Sequence, residues 1–495
     1  MNIFNRLCIL VLALPAFVLS SAQDNAVDAV SGASKMDATS GASKVERRVQ
    51  ENDRHADKPK YRFMDHFSIG GYGEAVMTRN FFSNNYLRYS QPELHKGEQY
   101  GVFDLPHVVI NLGYDFGRGW SMGMEIEYEH GGTESAMEIE EEEGGEYESE
   151  IERGGEVALE QFWVQKIFNP YVAIRGGMII IPVGGTNAYH EPDKFFGVYR
   201  PEGENTIMPC TWHEIGLSVW GSWGKKRDWH YNAMFLPGLD SDRFNSKGWI
   251  HGGSGSPYEY KLATAYAGAL RIDNTSVKGL RLSLSGYVGN SFQNTLRQTK
   301  GTKYEKTRGT VYIGSFDFCY DNHNVIVRGS ATYGHLDQSD LITAWNRTMR
   351  NDSPSPKEPV ASDAYALGIE AGYDFFNFNS RLATSGQKFY VFARYDNYDS
   401  MYKMAANMTP DDWCGRQRIA AGINYFPMKQ IAVKAEFAYG ILKSKNSSIK
   451  YNNEPSISMG ITYCGMFNKA KLEQWQRRKS ERQRARAWQT EQEKK

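Results

Sequence analysis

The chain has 495 residues, a formal net charge of −1, 13% aromatic residues and a mean hydropathy of −0.56. A balance this close to neutral argues against a general nucleic-acid binder. The 48 glycines and 30 tyrosines at such low hydropathy fit a transmembrane β-barrel, in which only alternate strand residues meet lipid.

Arg6 precedes an apolar run at 7–19, and Ser20, Ser21 and Ala22 follow it. This is the pattern of a secretory signal peptide over 1–22, with cleavage expected after Ala22. The run is shorter than the ~20 residues that a spanning helix needs. Cys8 lies early in it rather than at the cleavage point, so no lipid anchor is expected. Residues 23–65 are polar, repeat SGASK at 31–35 and 40–44, and read as a flexible periplasmic leader. The length would suit about three ordinary domains, yet no boundary is visible within 66–467. Cys210, Cys319, Cys414 and Cys464 lack the spacing of a metal site and leave one or two disulfides open.

Alternation of apolar and polar residues over roughly ten positions marks a barrel strand. It recurs at 66–79, 103–115, 119–129, 156–167, 171–180, 211–223, 228–238 and 261–273. It continues at 279–290, 309–319, 322–334, 363–376, 388–398, 417–426, 430–440 and 456–467. These make sixteen strands, and single-chain bacterial barrels have even numbers. In 279–290, Leu280, Leu282, Leu284 and Val288 oppose Arg281, Ser283 and Ser285. In 430–440, Ile431, Val433, Phe437 and Tyr439 oppose Lys434 and Glu436. Connections alternate between long (80–102, 130–155, 181–210, 239–260, 291–308, 335–362, 399–416, 441–455) and short, such as FGRG, FNP, GKKR, DN and MK. Short periplasmic turns and long outer loops are the habit of outer-membrane barrels. The reading is an all-β fold: a transmembrane antiparallel up-and-down β-barrel of about sixteen strands over 66–467.

Lysine or arginine facing lipid near the midplane costs roughly 2–4 kcal/mol. Charges on the less apolar strand faces are therefore expected to point into the lumen. They include Glu125, Glu127, Glu129, Arg175, Arg271, Arg281, Arg328, Glu370, Arg394, Arg418, Lys434 and Glu436. Past Glu129 comes SAMEIEEEEGGEYESEIERGGE at 135–156, with ten glutamates and one arginine. Met137, Ile139, Tyr147 and Ile151 alternate around Gly144-Gly145, which outlines a hairpin in the second outer loop. Like charges facing across a hairpin repel, so counterions, cross-barrel arginines or divalent cations must offset them. Calcium, which takes several carboxylate oxygens, is one reading for Glu140, Glu142, Glu148 and Glu150. A solvated acidic loop is the other.

The segment YVAIRGGMIIIPVGGTNAYHEPDKFFGVYRPEGENTIMPCTWHEIGLSVWG, 171–221, resembles porins O and P, the phosphate-selective porin family. The likeness lies in Pro182 and Gly184 at a strand end, Arg200 in the loop, and Trp212 to Leu217 leading into a strand. The resemblance implies a sixteen-stranded, often homotrimeric channel whose third loop folds inward. In the phosphate-selective members lysines and arginines line that passage. Here Lys194 and Arg200 share the loop with Glu191, Asp193, Glu202 and Glu204. The resemblance thus carries the fold and the channel role, and leaves ion preference open.

Three motifs are set aside. GWSMG at 119–123 matches a nucleophile elbow but lacks its strand–turn–helix context. His213-Glu214 opens a zinc-protease motif, yet Leu217 stands where the second histidine belongs. Asp240, Asp242 and Asn245 lack a calcium loop's closing glutamate, and their segment reads as a solvated outer loop. The tail 468–495 holds ten Lys or Arg against four Glu, with Leu472, Trp475 and Trp488. It reads either as an amphipathic helix on the inner leaflet or an anionic periplasmic partner, or as a solvated tail.

The expected protein is a passive porin of the bacterial outer membrane, in contact with its lipid, without catalysis or a required cofactor. Small polar or charged solutes would pass a lumen lined by the residues above and narrowed by 181–210, with Lys194 and Arg200 on that loop. The alternative is a barrel with a structural or binding role, acting through the acidic loop 130–155 and the basic tail.

Overall fold

The computed structural model describes residues 66–467 except 131–135, 142–146, 153–155, 257–259, 351–352, 354, 406–407 and 443–452. The expected signal peptide, leader and basic tail lie outside the described residues, and within 136–156 only the backbone is described.

The sixteen alternating segments all form strands. The first half of the wall comprises β1 (Phe67–Asn80), β2 (Tyr100–Asp104), β3 (His107–Gly117), β4 (Trp120–Glu129), β7 (Glu156–Asn169), β8 (Val172–Ile180), β9 (His213–Trp223) and β10 (Trp229–Pro237). The second half comprises β11 (Tyr266–Asn274), β12 (Leu280–Asn290), β13 (Thr310–Asn322), β14 (Val325–Leu336), β15 (Asp363–Asp374), β16 (Lys388–Lys403), β17 (Gly415–Met428), β18 (Ile431–Leu442) and β19 (Glu454–Met466). Each pairs antiparallel with its neighbour. The ring closes where β1 meets β19 on one side (Ala75↔Ile461) and β2 and β3 on the other (Val76↔Asp104, Gly73↔Val108). β2 and β3 share β1 end to end and are one stave broken at Pro106, which has no N–H for the ladder. The seventeen segments of this sheet therefore make sixteen staves. Closure leaves no unpaired edge, the condition for strands to cross hydrocarbon.

The period of two sorts the side chains as expected. On β19, Ile457, Met459 and Ile461 are exposed on the outside, while Ser456, Ser458 and Thr462 are buried within. At the short-turn rim Phe116, Trp120, Phe168, Tyr171, Trp223 and Phe467 are exposed, as in a membrane-interface girdle. One turn falls two residues later than read from sequence. β13 and β14 are joined by His323 and Asn324, at φ of 52° and 63°. Positive φ at both central positions is the twist-matching hairpin turn, and Asn324 tolerates it.

At the other rim the long loops turn inward and pack. Phe244, Trp249, Ile250, Phe292, Ile342 and Trp345 form one apolar core with wall residues such as Met234, Leu236 and Tyr287. Small wall residues, Ala267, Ala269, Ala364 and Ala366, let the loops approach. The segment around Asp240 is a correction: it is buried rather than solvated. Asp240 is 5% exposed and caps the backbone of Asp242, and Arg297 pairs with Asp242 at 2.7 Å. Asn346 Nδ2 donates to the Ser241 carbonyl at 2.9 Å.

Burial, reinforced by the Asp242 charge, pushes the Asp240 carboxyl up to about 7. The folded form therefore holds this proton more tightly than an unfolded chain, whose value is near 3.8. The linked stability is full below that value and drains away as pH rises through about 7. Amide exchange across 239–250 should accelerate between about pH 5 and pH 8 beyond its chemical rate, and Asp240→Asn should remove the excess. Equal profiles for the two proteins would show that Asp240 stays charged.

Candidate functional site

The segment 181–210 joins β8 to β9 and runs through the barrel interior. Pro182 ends the ladder of β8 because it cannot donate. Gly184 then takes φ 86°, where a Cβ would meet Met208 and Glu204. The segment continues through short helices Gly185–Ala188 and Glu202–Ile207.

Side chains from many staves hold it. On β18, Lys434 Nζ donates to the carbonyls of Pro192, Phe195 and Gly197 at 2.6, 2.9 and 2.9 Å. Asn424 of β17 donates to Phe196 O at 3.0 Å, and the Phe196 N–H donates to Glu370 of β15 at 3.2 Å. Arg394 of β16 reaches the carbonyls of Tyr199 and Arg200, both at 3.3 Å. Glu204 accepts from Thr332 of β14, and Glu202 from Tyr398 of β16. Lys434 is only 1% exposed, so its charge faces carbonyls and not the watery lumen expected of it.

The inner wall carries charges of both signs. From β11 to β18 it carries Arg271, Arg281, Arg328, Arg394, Arg416, Arg418 and Lys434. All six arginines have carboxylate partners: Arg271 and Arg281 on Asp317, Arg328 on Glu370, Arg394 on Asp396, Arg416 on Glu454, and Arg418 on Glu202 and Glu436. Staves β1, β4 and β7 present Glu74, Glu125, Glu127 and Glu160, all buried, with Glu129 partly so. His107 of β3 lies 2.7 Å from Glu127. Arg175 stands apart on β8, its guanidinium 4.1 Å from the Trp163 ring centre. Lys194 lies beside Asp193 on the inward segment.

Between the inward segment and the wall formed by β16 to β19 and β1 is a cleft. Asn80, Glu202, Tyr398, Arg416, Arg418 and Glu454 line it. Burial acts to raise the Glu202 pKa, but Arg418 and the Tyr398 hydroxyl more than offset it and hold the carboxyl below its ordinary range. Burial likewise opposes the Arg200 charge, but its neighbours, Glu160 and Glu127 among them, hold that guanidinium above its usual value. Burial pushes the Cys210 thiol up to about 11, which leaves it protonated and unreactive. The four described cysteines are free thiols.

The predicted inner-face residues Glu125, Glu127, Glu129, Arg175, Arg281, Arg328, Arg394, Lys434 and Glu436 all turn inward. Glu142 lies outside the described residues, and the side chains of Glu140, Glu148 and Glu150 are not described. The backbone of their segment does form a hairpin, β5 (Ala136–Glu141) with β6 (Tyr147–Glu152), which sets Glu140 opposite Glu148. Ser121 of the GWSMG motif accepts from Gln165 on the adjoining stave at 2.9 Å. Sequence reading missed Glu160. Its signal was there: Val157, Leu159, Phe162 and Val164 step by three once, which marks a bulge.

No family model matches the chain. A protein of Aquifex aeolicus (strain VF5) described as uncharacterized is 26% identical over 398 residues, 79% of each chain. Among solved structures the chain is similar to Salmonella typhi OmpF in complex with daunomycin, at 11% identity over 81% of this chain and 99% of that one, with a TM-score of 0.48. It is also similar to Pseudomonas putida OprB at high pH (9%, 82% and 95%, 0.47). A third is an anion-selective porin from Comamonas acidovorans (10%, 81% and 99%, 0.46).

Proposed function

We propose that this chain is an outer-membrane porin through which small polar or charged solutes diffuse past the inward segment 181–210. The observation that carries this reading is the charged cleft between that segment and the wall, where Arg416 and Arg418 stand beside Glu202 and Glu454. Groups of both signs at a narrow passage orient a polar solute without binding it tightly enough to stop its exit. The acidic hairpin would add negative field at the mouth and raise the local concentration of cations. A homotrimer, implied by the family resemblance, belongs to the same proposal.

The test is a planar bilayer holding the purified protein across a salt gradient. Stable steps with cation preference, weakened on deleting 136–152, are the expected result. In the same membranes Arg418→Gln should shift the reversal potential further towards cations, because it removes a positive charge from the cleft. Anion preference would return the reading to a phosphate-type channel. The apolar packing of loops over β9 to β16 favours one other reading, a closed barrel that binds partners. Silence in the bilayer from correctly folded protein would establish that reading instead.

A further inference from the structure

Away from the cleft, three potential ligands converge: Glu125 of β4, Glu160 of β7 and His190 of the inward segment. One ligand atom from each lies within 4.8 Å of the other two, and all three residues are buried. Their meeting depends on the bulge in β7. The register passes from Glu125↔Gln161 to Ile126↔Leu159, leaving Glu160 opposite no residue. Both Glu160 and Gln161 then turn inward, as bulges allow. Gln161 donates its amide to Glu125, which orients that carboxylate.

One further observation points to a ligand. Glu160 is 0% exposed, yet its Oε1 has no hydrogen-bond partner. The Thr211 hydroxyl, likewise without a partner, is near enough to support this carboxylate. Tyr72 meets only the other oxygen, Oε2, at 3.4 Å. His190 is held in place to join it. Its Nδ1 lies 3.3 Å from the Asn187 carbonyl, which can only accept, and this contact aims Nε2 at Glu160 Oε1, 3.9 Å away. A backbone carbonyl on the remote ring nitrogen is also how metal-ligating histidines are usually held. Arg200 lends Glu160 positive charge from nearby but makes no hydrogen bond to it: its Nε donates to the His190 carbonyl and its Nη2 has no partner.

We propose that Glu125, Glu160 and His190 bind a divalent cation of the zinc class, which clips the inward segment to the β4–β7 wall. One imidazole nitrogen and two carboxylates suit zinc, whereas calcium takes six to eight oxygens. Bonds of about 2.0–2.2 Å bring neighbouring ligands roughly 3–4 Å apart, so small side-chain rotations close the site. With Lys434 holding the segment on the far side, the cation would complete a two-sided anchor. The inference holds whether or not the barrel conducts.

The experiment is calorimetric titration of Zn²⁺ alone into chelator-treated, detergent-purified protein. One equivalent per chain is expected. Glu160→Gln and His190→Gln should each weaken binding by more than the roughly 10–100-fold typical of a lost outer hydrogen-bonding partner. A chain lacking 136–152 should bind as well as the full chain. His190 lies on a loop, so its variant keeps the test open should Glu160→Gln fail to assemble. Absence of binding would mean that Glu160 and His190 simply pair with each other, and would overturn the proposal. So would affinity unchanged in both variants, or binding lost with the hairpin.

Discussion

Replacing Lys434 with methionine should free residues 192–197 from the barrel wall and raise single-channel conductance several-fold. The side chain is sealed from water, and its ammonium donates to three carbonyls of the inward segment. Methionine matches its length and donates nothing. Each buried carbonyl left without a donor costs about 1–3 kcal/mol. Relief from burying an ammonium offsets part of that loss. The segment escapes the remaining penalty by swinging its carbonyls into water, which widens the passage. Lys434→Arg should rescue only in part, because a planar guanidinium cannot meet three converging carbonyls as a tetrahedral ammonium does. Amide exchange over 190–200 reads the release directly, so the prediction does not depend on conduction. Protection and conductance both unchanged in the methionine variant would show that Arg394 and Asn424 suffice to hold the segment.

Trp249→Ala should dismantle the packed mouth while leaving the sixteen staves intact. The indole is fully buried at 0% exposure, and its Nε1 donates to the Ala361 carbonyl at 3.0 Å. It joins loop 239–256 to the connection between β14 and β15. Large-to-alanine changes at such sites cost roughly 3–5 kcal/mol, and the Ala361 carbonyl would also lose its donor. The barrel ladder is a separate set of bonds and should survive. Limited proteolysis should cut within 239–256 and 337–362 in the variant alone, while the folded barrel keeps its mobility on unheated gels. Gly334→Ala tests the same contact from the wall, since a Cβ there would strike the Trp249 ring. Loops that stay resistant in both variants would show that Phe244, Ile342 and Trp345 hold the mouth alone.

The local pattern of this chain determined its architecture. Side chains on a strand alternate with period two, and lipid admits apolar groups on one face only. Leu282 and Leu284 against Ser283 and Ser285 therefore announce a stave without reference to any partner. Loop parity then set both the direction and the number of staves. The inward orientation of Glu125, Arg281 and Glu436 was legible for the same reason.

The partners inside the barrel were decided only by the tertiary structure. Lys434 lies more than two hundred residues from the carbonyls that it holds, and no periodicity connects them. The loop around Asp240 looked solvated because a run of polar residues is read as wet. Its burial depends on Arg297 and Asn346, which arrive from other connections. Glu160 joins Glu125 because of one extra residue in β7, and His190 joins them because Pro182 and Gly184 turn the chain inward. Strands are written in short-range order. A site is made where long loops return across a closed wall, and the chain's linear pattern carries no measure of that distance.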